Sequence, residues 1–148
     1  SHSIIQEDEM EHLQNDRPEP AYHCGRLLAV LEQIQRAALG AGVNTTIVDR
    51  FYGTASTAPA TVFGTLLKGA QPHLSKLRRS QQEGTAYALQ SRLEEVLAQL
   101  PTFPRTLKLQ EQALFALGYY HQRAHDRAQA QAKKQEKDKS TSPAKVPA

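Results

Sequence analysis

The sequence has one cysteine, few aromatic residues and no long apolar run, and each shortage excludes a class of protein. Its only cysteine, Cys24, can form neither an internal disulfide nor a multi-cysteine metal site. No stretch of about 18 apolar residues occurs, so no transmembrane helix is expected. The first residues are acidic, whereas a signal peptide would be basic and then apolar. We therefore expect a cytoplasmic protein that has no membrane partner.

The residues that are abundant favour helices. Leu, Ala and Gln dominate a chain of 148 residues in which aromatics make up 6% and Trp is absent. These side chains, together with Glu and Arg, lose little rotamer freedom in a helix. The length is that of one domain with a modest core. The composition therefore predicts a single helical domain.

Charge is distributed unevenly along the chain, whose net charge is +3. Residues 1–20 carry six acids and one base, residues 21–127 carry twelve bases and seven acids, and residues 128–148 carry five bases and two acids. A basic body with a basic tail indicates an acidic partner, of which nucleic acid is the commonest. The alternative is a solvated surface with a lysine-rich, solubilising tail.

Apolar residues recur at helical spacing in five segments. The predicted helices span residues 22–39, 45–52, 59–77, 85–100 and a segment that starts near 106 and runs to about 129 or beyond. Gly40 and Gly53 are the expected stops of the first two helices, and Asn44 or Thr45 is the expected N-cap of the second. A kink or break is expected near Gly69 and Pro72 in the third. The pattern predicts an all-α bundle of about five helices.

The two ends differ in composition from the body. We expect a flexible or loosely docked acidic arm over residues 1–20, a helical bundle over 21–127, and a helix extension with a disordered basic tail over 128–148, disordered at least beyond Lys139. Gly25 is expected to permit close packing of two helices. The aromatic residues expected in the core are Tyr22, Phe51, Phe63, Phe103 and Phe115.

Residues that could carry chemistry have simpler structural interpretations. His121 and His125 have the spacing of two zinc ligands on a helix, but Gln122 replaces the general-base glutamate of a metalloprotease helix. His23 and Cys24 point about 100° apart if helical, so they do not form a nucleophile and its base. No phosphate-binding loop, dinucleotide fingerprint or nucleophile elbow occurs. We expect no catalytic residues, no metal and no cofactor, and hence no enzyme.

Basic residues are the remaining candidates for function. The first choice for nucleic-acid contact is the cluster between two predicted helices, Lys76, Arg78 and Arg79. The second group, chosen by charge and expected exposure, is Lys68, Arg105, Lys108 and Arg123.

Contact with phosphates is favoured over contact with bases, because few aromatics are present to stack on them. The tyrosines that could stack are Tyr52, Tyr87, Tyr119 and Tyr120. The alternative is that the cations are scattered and that some pair internally, above all Arg26 and Arg50.

Four segments carry a family resemblance. They are YHCGRLLAVLE at 22–32, DRFYGTASTAP at 49–59, HLSKL at 73–77 and QALFALGYYHQ at 112–122. In this order and spacing they resemble the C-terminal region of the large subunit of the type I-C CRISPR Cascade complex. The resemblance covers about Tyr22 to His125.

The large subunit of that family is several times longer than this chain. The resemblance therefore implies the small subunit of the complex, which type I-C systems translate separately from an internal start, although a dissected domain would have the same sequence. It implies a non-catalytic protein that stabilises the R-loop, and the implied partners are the Cascade backbone and large subunits, further copies of itself, the crRNA–target DNA hybrid and the displaced single-stranded DNA. The alternative is an assembly spacer between subunits that does not bind DNA.

Overall fold

The structure, a computed structural model, describes residues 12–40 and 42–141, and within these ranges it contains five helices and no strand. The helices are α1 (Pro20–Leu39), α2 (Ile47–Thr57), α3 (Pro59–Arg79), α4 (Glu83–Leu97) and α5 (Leu109–Thr141). The predicted all-α bundle is thus confirmed. None of the helices described is long and apolar enough to cross a bilayer.

The start and end of α1 follow from two backbone-restricted residues. Pro20 occupies the first turn, where its missing N–H has no helical partner to lose. Gly40 ends the helix with φ +81°, a conformation that favours glycine, and its N–H donates to the carbonyl of Arg36 at 2.8 Å. The predicted stop at Gly40 is confirmed.

The limits predicted for α2 were wrong at both ends. Thr46, rather than Asn44 or Thr45, is the N-cap: its Oγ1 accepts from the Val48 N–H at 3.2 Å, and Asp49 accepts from the Thr46 N–H at 2.9 Å. Gly53 does not stop the helix, which continues to Thr57. Burial of the last turn through Ala55 and Ser56 outweighs the low helix propensity of one glycine.

Of the kink or break expected near Gly69 and Pro72, the break does not occur, because α3 is continuous from Pro59 to Arg79, while the kink stays a prediction. Pro72 has no N–H, so the carbonyl of Lys68 loses its helical hydrogen bond. Both residues lie on the exposed face, where water can replace that bond. On the other face, Ala70 and Leu74 are buried and hold the helix against the core.

The last two helices differ from the prediction mainly at their ends. α4 begins and ends about two to three residues earlier than predicted, and Leu100 is buried in the turn that follows it. α5 begins at Leu109 and remains helical to Thr141, so the disorder predicted beyond Lys139 does not apply to residues 140 and 141. The rest of the predicted tail, 142–148, lies outside the described residues, as do residues 1–11 of the arm.

α1 is the central helix, and each of the other four packs against it. Every residue from Ala21 to Glu32 is buried. A helix buried on all sides needs apolar or internally bonded side chains around its whole circumference. Most positions of this run are accordingly apolar, and the polar ones bond within the bundle.

α1 and α5 approach so closely that their backbones touch at two glycines. A Cβ at Gly25 would overlap the carbonyl oxygen of Phe115 and lie 2.8 Å from the Tyr119 nitrogen. A Cβ at Gly118 would overlap the carbonyl oxygen of Tyr22. Close helix packing at Gly25 was predicted, and the structure shows that Gly118 makes the reciprocal contact.

The end of the predicted arm is docked onto α1. Leu13 is buried, and the Gln14 N–H donates to the hydroxyl of Tyr22 at 3.0 Å. The guanidinium of Arg17 lies over the Tyr22 ring, 5.4 Å from its centroid. Residues 12–19 therefore pack against the first turns of the bundle.

The aromatic core follows the sequence prediction. Tyr22, Phe63 and Phe115 are fully buried, while Phe51 and Phe103 are partly buried against the core. Phe103 stacks on Phe63 with ring centroids 5.4 Å apart. This stack holds the connection between α4 and α5 against the start of α3.

Substituting Gly25 with Ala is expected to destabilise the fold by about 1–3 kcal/mol, because the added methyl group forces the two backbones apart. The matched control is Gly64→Ala in α3, where a Cβ meets nothing within 4 Å. It should stabilise by about 0.5–1 kcal/mol through helix propensity. Urea unfolding followed by circular dichroism measures both, and equal effects would contradict the close contact.

Candidate nucleic-acid interface

Arg26 belongs to a buried network rather than to any surface. Its side chain is 1% exposed, and its Nε donates to Oε1 of Gln122 at 2.9 Å. Nη1 lies 2.9 Å from Nδ1 of His23, and Glu95 lies 3.9 Å from Nη2. The predicted internal pairing is therefore confirmed for Arg26. Arg50, by contrast, is exposed and has no ion pair within the described part of the chain.

The contacts of Arg26 determine the tautomer of His23. Arginine can only donate, so Nδ1 of His23 accepts, and its Nε2–H donates to the carbonyl of Arg17 at 2.6 Å. Burial lowers the pKa of His23, and the adjacent Arg26 lowers it further against the opposing effect of the carbonyl. His23 is thus neutral in the folded protein at pH 7.

Two buried carboxylates are held by other members of the network. Asp126 is 4% exposed and lies 3.2 Å from Nε of Arg92, while Gln122 donates to its Oδ1 at 2.8 Å. Burial raises the pKa of Asp126, and Arg92 opposes that rise. Glu32 accepts from the hydroxyl groups of Tyr119 at 2.8 Å and Thr46 at 2.9 Å. These contacts remove Arg26 and Arg92 from the cations available to a partner.

The exposed face of α3 is basic. Lys68, Lys76, Arg78 and Arg79 are all exposed, and α3 contains no acidic residue. None of the four has an ion pair among the described residues. At 100° per residue, Lys68 and Arg79 lie at the centre of this face, with Lys76 and Arg78 on its two sides. The structure thus brings four of the seven predicted residues onto one helix.

An exposed aromatic ring accompanies this surface. Arg78 lines an open groove of about 320 Å³ together with Glu83, Tyr87 and Gln90 of α4. Tyr87 is 76% exposed. Of the other three tyrosines considered for stacking, Tyr119 is buried, Tyr52 is half-buried and Tyr120 is exposed. Tyr87 is therefore the tyrosine that combines exposure with a neighbouring arginine.

Arg105 and Lys108 lie at the other end of the bundle. The connection that carries them is fixed to the start of α3, since the Ala60 N–H donates to the carbonyl of Pro104 at 3.0 Å. Arg78 is eighteen residues further along α3, or about 27 Å at the helical rise. Both residues are exposed, but they do not join the cluster at the end of α3.

Arg123 is half-buried on α5, where its guanidinium lies 5.5 Å from the centroid of the Tyr119 ring. It lines a groove with Arg36 and Arg127, which were not chosen from the sequence. The four-residue spacing of Arg123 and Arg127 was the available signal for that pair. Arg36 could not be found in this way, because its proximity depends on how α1 packs against α5.

The residues first considered for catalysis have structural roles. Nδ1 of His121 lies 2.7 Å from the hydroxyl of Tyr22 within the core. Cys24 is fully buried, and burial raises the pKa of its thiol to about 12. Within the described ranges no group of three or more His, Cys, Asp or Glu side chains gathers in a way that would hold a metal ion.

Comparison with known families gives one match. The family model described as CRISPR-associated protein (Cas_Csd1) matches residues 2–126. The match includes the acidic arm, which precedes the stretch from Tyr22 on which the sequence resemblance was based. A search of curated proteins found no match.

We expect the free energy of unfolding to fall as the pH drops below about 6.5, because the unfolded chain then binds a proton at His23 that the folded chain does not. The slope should reach about 1.4 kcal/mol per pH unit until the folded pKa of His23 is reached. Asp126 acts with the opposite sign, since its raised pKa makes the folded chain the better proton binder as its carboxyl titrates.

Urea unfolding between pH 8 and pH 5 measures this slope. His23→Gln should flatten it, whereas His73→Gln, at a half-buried position on α3 outside the network, should leave it unchanged. An equal effect of the two substitutions would show that the slope does not come from His23.

Proposed function

Because the chain belongs to the CRISPR-associated protein (Cas_Csd1) family and is a component related to the type I-C Cascade complex, we propose that it is the non-catalytic small subunit of such a complex. In this role it stabilises the R-loop formed by guide RNA and target DNA, and its basic surface contacts the displaced non-target strand. Its partners are the backbone and large subunits of the complex and further copies of itself.

The exposed face of α3 is the observation that carries this proposal. Its four cations are unpaired within the described part of the chain, and no carboxylate of α3 opposes them. Such a surface attracts phosphates without regard to sequence. Sequence-independent contact suits a strand whose sequence differs at every target.

The energetics of R-loop formation make modest contacts sufficient. An RNA–DNA hybrid is about as stable as the DNA duplex that it replaces, so a few phosphate contacts on the displaced strand can shift the balance. Lys68 and Arg79 at the centre of the face contact the backbone in this proposal, with Arg78 and the Tyr87 ring beside them. A base stacked on Tyr87 would add about 1–3 kcal/mol.

The three cations of the last turn of α3 could also serve to stabilise the helix, and the experiment must separate this effect from DNA contact. Lys76, Arg78 and Arg79 lie at the negative end of the α3 dipole, where each cation stabilises the helix by about 0.3–1 kcal/mol. Charge reversal at these positions is therefore expected to lower the stability of the subunit as well as its affinity for DNA. Stability must be measured beside function.

We expect the Lys76→Glu, Arg78→Glu, Arg79→Glu triple variant to join the complex but to lose R-loop stabilisation. Permanganate reactivity of the displaced strand reports the loop, and gel filtration reports incorporation. The triple Gln variant, which removes charge without reversing it, should give an intermediate loss. Arg50→Glu is the control, because Arg50 is an exposed arginine outside this surface.

Thermal unfolding of each variant shows whether a loss of R-loop stabilisation reflects unfolding. A folded, incorporated triple Glu variant that stabilises the R-loop as well as the wild-type chain would refute the role of the α3 surface. Failure of the wild-type chain to join the complex would refute the small-subunit assignment itself.

An assembly spacer without DNA contact is the alternative function, and an exposed apolar stripe on α5 is the surface by which such a spacer would contact other subunits. Leu109 is 80% exposed, Leu117 41% and Tyr120 60%. Their spacing of eight and eleven residues places all three on one face of the helix, and Ala113 lies between them. An exposed apolar stripe of this kind is typical of a surface covered by another protein.

Substitutions in the stripe test the contact with other subunits, which substitutions on the α3 surface do not test. Leu109→Gln with Tyr120→Gln should reduce incorporation into the complex at least about tenfold, while the thermal midpoint of the free chain changes little because both side chains are exposed. Pull-down of the chain on the assembled complex measures incorporation. Normal incorporation of this double variant would exclude the stripe as the subunit contact and weaken the spacer alternative.

A further inference from the structure

A groove lies between α1 and α5 beside their glycine contact. Gly118 contacts Tyr22, Gln122 bonds to Arg26, and Ala130 lies across the groove from Ala37, so the two helices run parallel. They touch at the glycines, and the groove lies on the C-terminal side of this contact. The opening there is a groove of about 410 Å³ whose small side chains are Ala29, Ala37 and Ala130.

Three arginines from the two walls line this groove. Arg123 and Arg127 are four residues apart, which places them on one side of α5, and Arg36 comes from α1. Arg36 and Arg127 are exposed. The Tyr119 ring beneath Arg123 holds its guanidinium, with Nη1 3.5 Å from the tyrosine oxygen. Within the described ranges, neither Arg123 nor Arg127 has a carboxylate partner.

The two acidic residues in the groove, Glu32 and Asp126, are buried and bonded within the bundle, and Glu32 also forms an ion pair with Arg36. Both oxygens of Glu32 accept hydrogen bonds, from Tyr119 and Thr46, and Arg36 lies at the longer distance of 3.6 Å. Oδ1 of Asp126 is held by Arg92 and Gln122, and its Oδ2 is buried away from water. Both oxygens of Glu32 have partners, and Oδ2 of Asp126, which has no hydrogen-bond partner, is buried, so neither carboxylate exposes a free oxygen to an anion in the groove.

We propose that this groove binds a phosphate of a nucleic-acid backbone, held between Arg36 on one wall and Arg123 and Arg127 on the other. The planar guanidinium matches the oxygens of a phosphate, and three of them from two helices converge on one opening. The inference rests on the proposed function only in taking nucleic acid as the source of the phosphate.

The position of the groove connects it to the basic surface of α3. A second groove of about 210 Å³ shares Ala37 and Ala130 with the first, and Lys133 of α5 and Thr85 of α4 also line it. Thr85 is in the first turn of α4, which follows the last turn of α3 after the short link 80–82. The arginine groove, Lys133 and the end of α3 therefore lie at the same end of the bundle.

The test measures binding of a fluorescent single-stranded oligonucleotide to the full chain as a function of salt concentration. The slope of log K against log salt should decrease by about 0.7 for each phosphate that a variant no longer neutralises. The triple variant Arg36→Gln, Arg123→Gln, Arg127→Gln removes the one phosphate site, so it should show this decrease and bind roughly tenfold or more weakly at low salt. Each single variant should show a smaller decrease, because the other two arginines still hold the phosphate. Arg50→Gln is the single-substitution control and should keep the wild-type slope.

A conservative variant separates the charge of Arg123 from its shape. Arg123→Lys keeps the charge, so it should retain the salt slope of the wild type and lose only part of the affinity. Circular dichroism of every variant confirms folding. A matching duplex oligonucleotide tests whether the phosphate belongs to a single strand or to a duplex, and a reduced slope with either supports the groove as the binding site.

Three outcomes would overturn the proposal. The first is a wild-type chain that does not bind the oligonucleotide at about 50 mM salt, where phosphate contacts are strong. The second is a folded triple variant whose salt slope is unchanged. The third is a decrease in the salt slope of Arg50→Gln equal to that of the groove variants. Failure of the proposed function is a separate result, because it is measured as R-loop formation by the assembled complex. If the groove variants bind the oligonucleotide weakly but the wild-type chain has no effect on the R-loop, the phosphate site is supported and the subunit role is refuted.

Discussion

The contact between the backbones of α1 and α5 is the constraint on which the rest of the bundle depends. Two glycines face each other's helix, and no larger residue fits at either position. This proximity buries α1 on all sides and lets Arg26 reach Gln122 directly across the contact. Because the helices are parallel, the arginine-lined groove lies between them on the C-terminal side of this contact.

The buried polar network divides the arginines of the chain into two populations. Arg26 and Arg92 are used internally, and their acceptors are Gln122, His23 and Asp126. Such a network adds little net stability compared with an apolar core, but breaking one member is costly because it leaves an unpaired charge. The arrangement of its partners therefore specifies how α1, α4 and α5 align more than it strengthens their association.

The sequence predicts the elements of this fold better than their limits, and the exposure of the site residues better than their grouping. The helical period and Gly40 identified α1, whereas Gly53 and Pro72 were given too much weight because propensity is local and burial of Ala55 and Leu74 is not. Lys68 and Arg79 lie on one helix, so their proximity follows from spacing. Tertiary packing places Arg105 far from Lys68 and Arg79, and it brings Arg36 close to Arg123. No local sequence pattern encodes either distance.

Cys24 is next to Gly25, the glycine at which α1 meets α5, and its thiol is a natural probe of local unfolding around α1. Its thiol is fully buried, and its raised pKa leaves almost no thiolate in the closed state. A thiol reagent can react only in molecules in which the packing that covers Cys24 has opened. The labelling rate at low reagent concentration therefore measures the opening equilibrium of the packing around this part of α1, without any introduced probe.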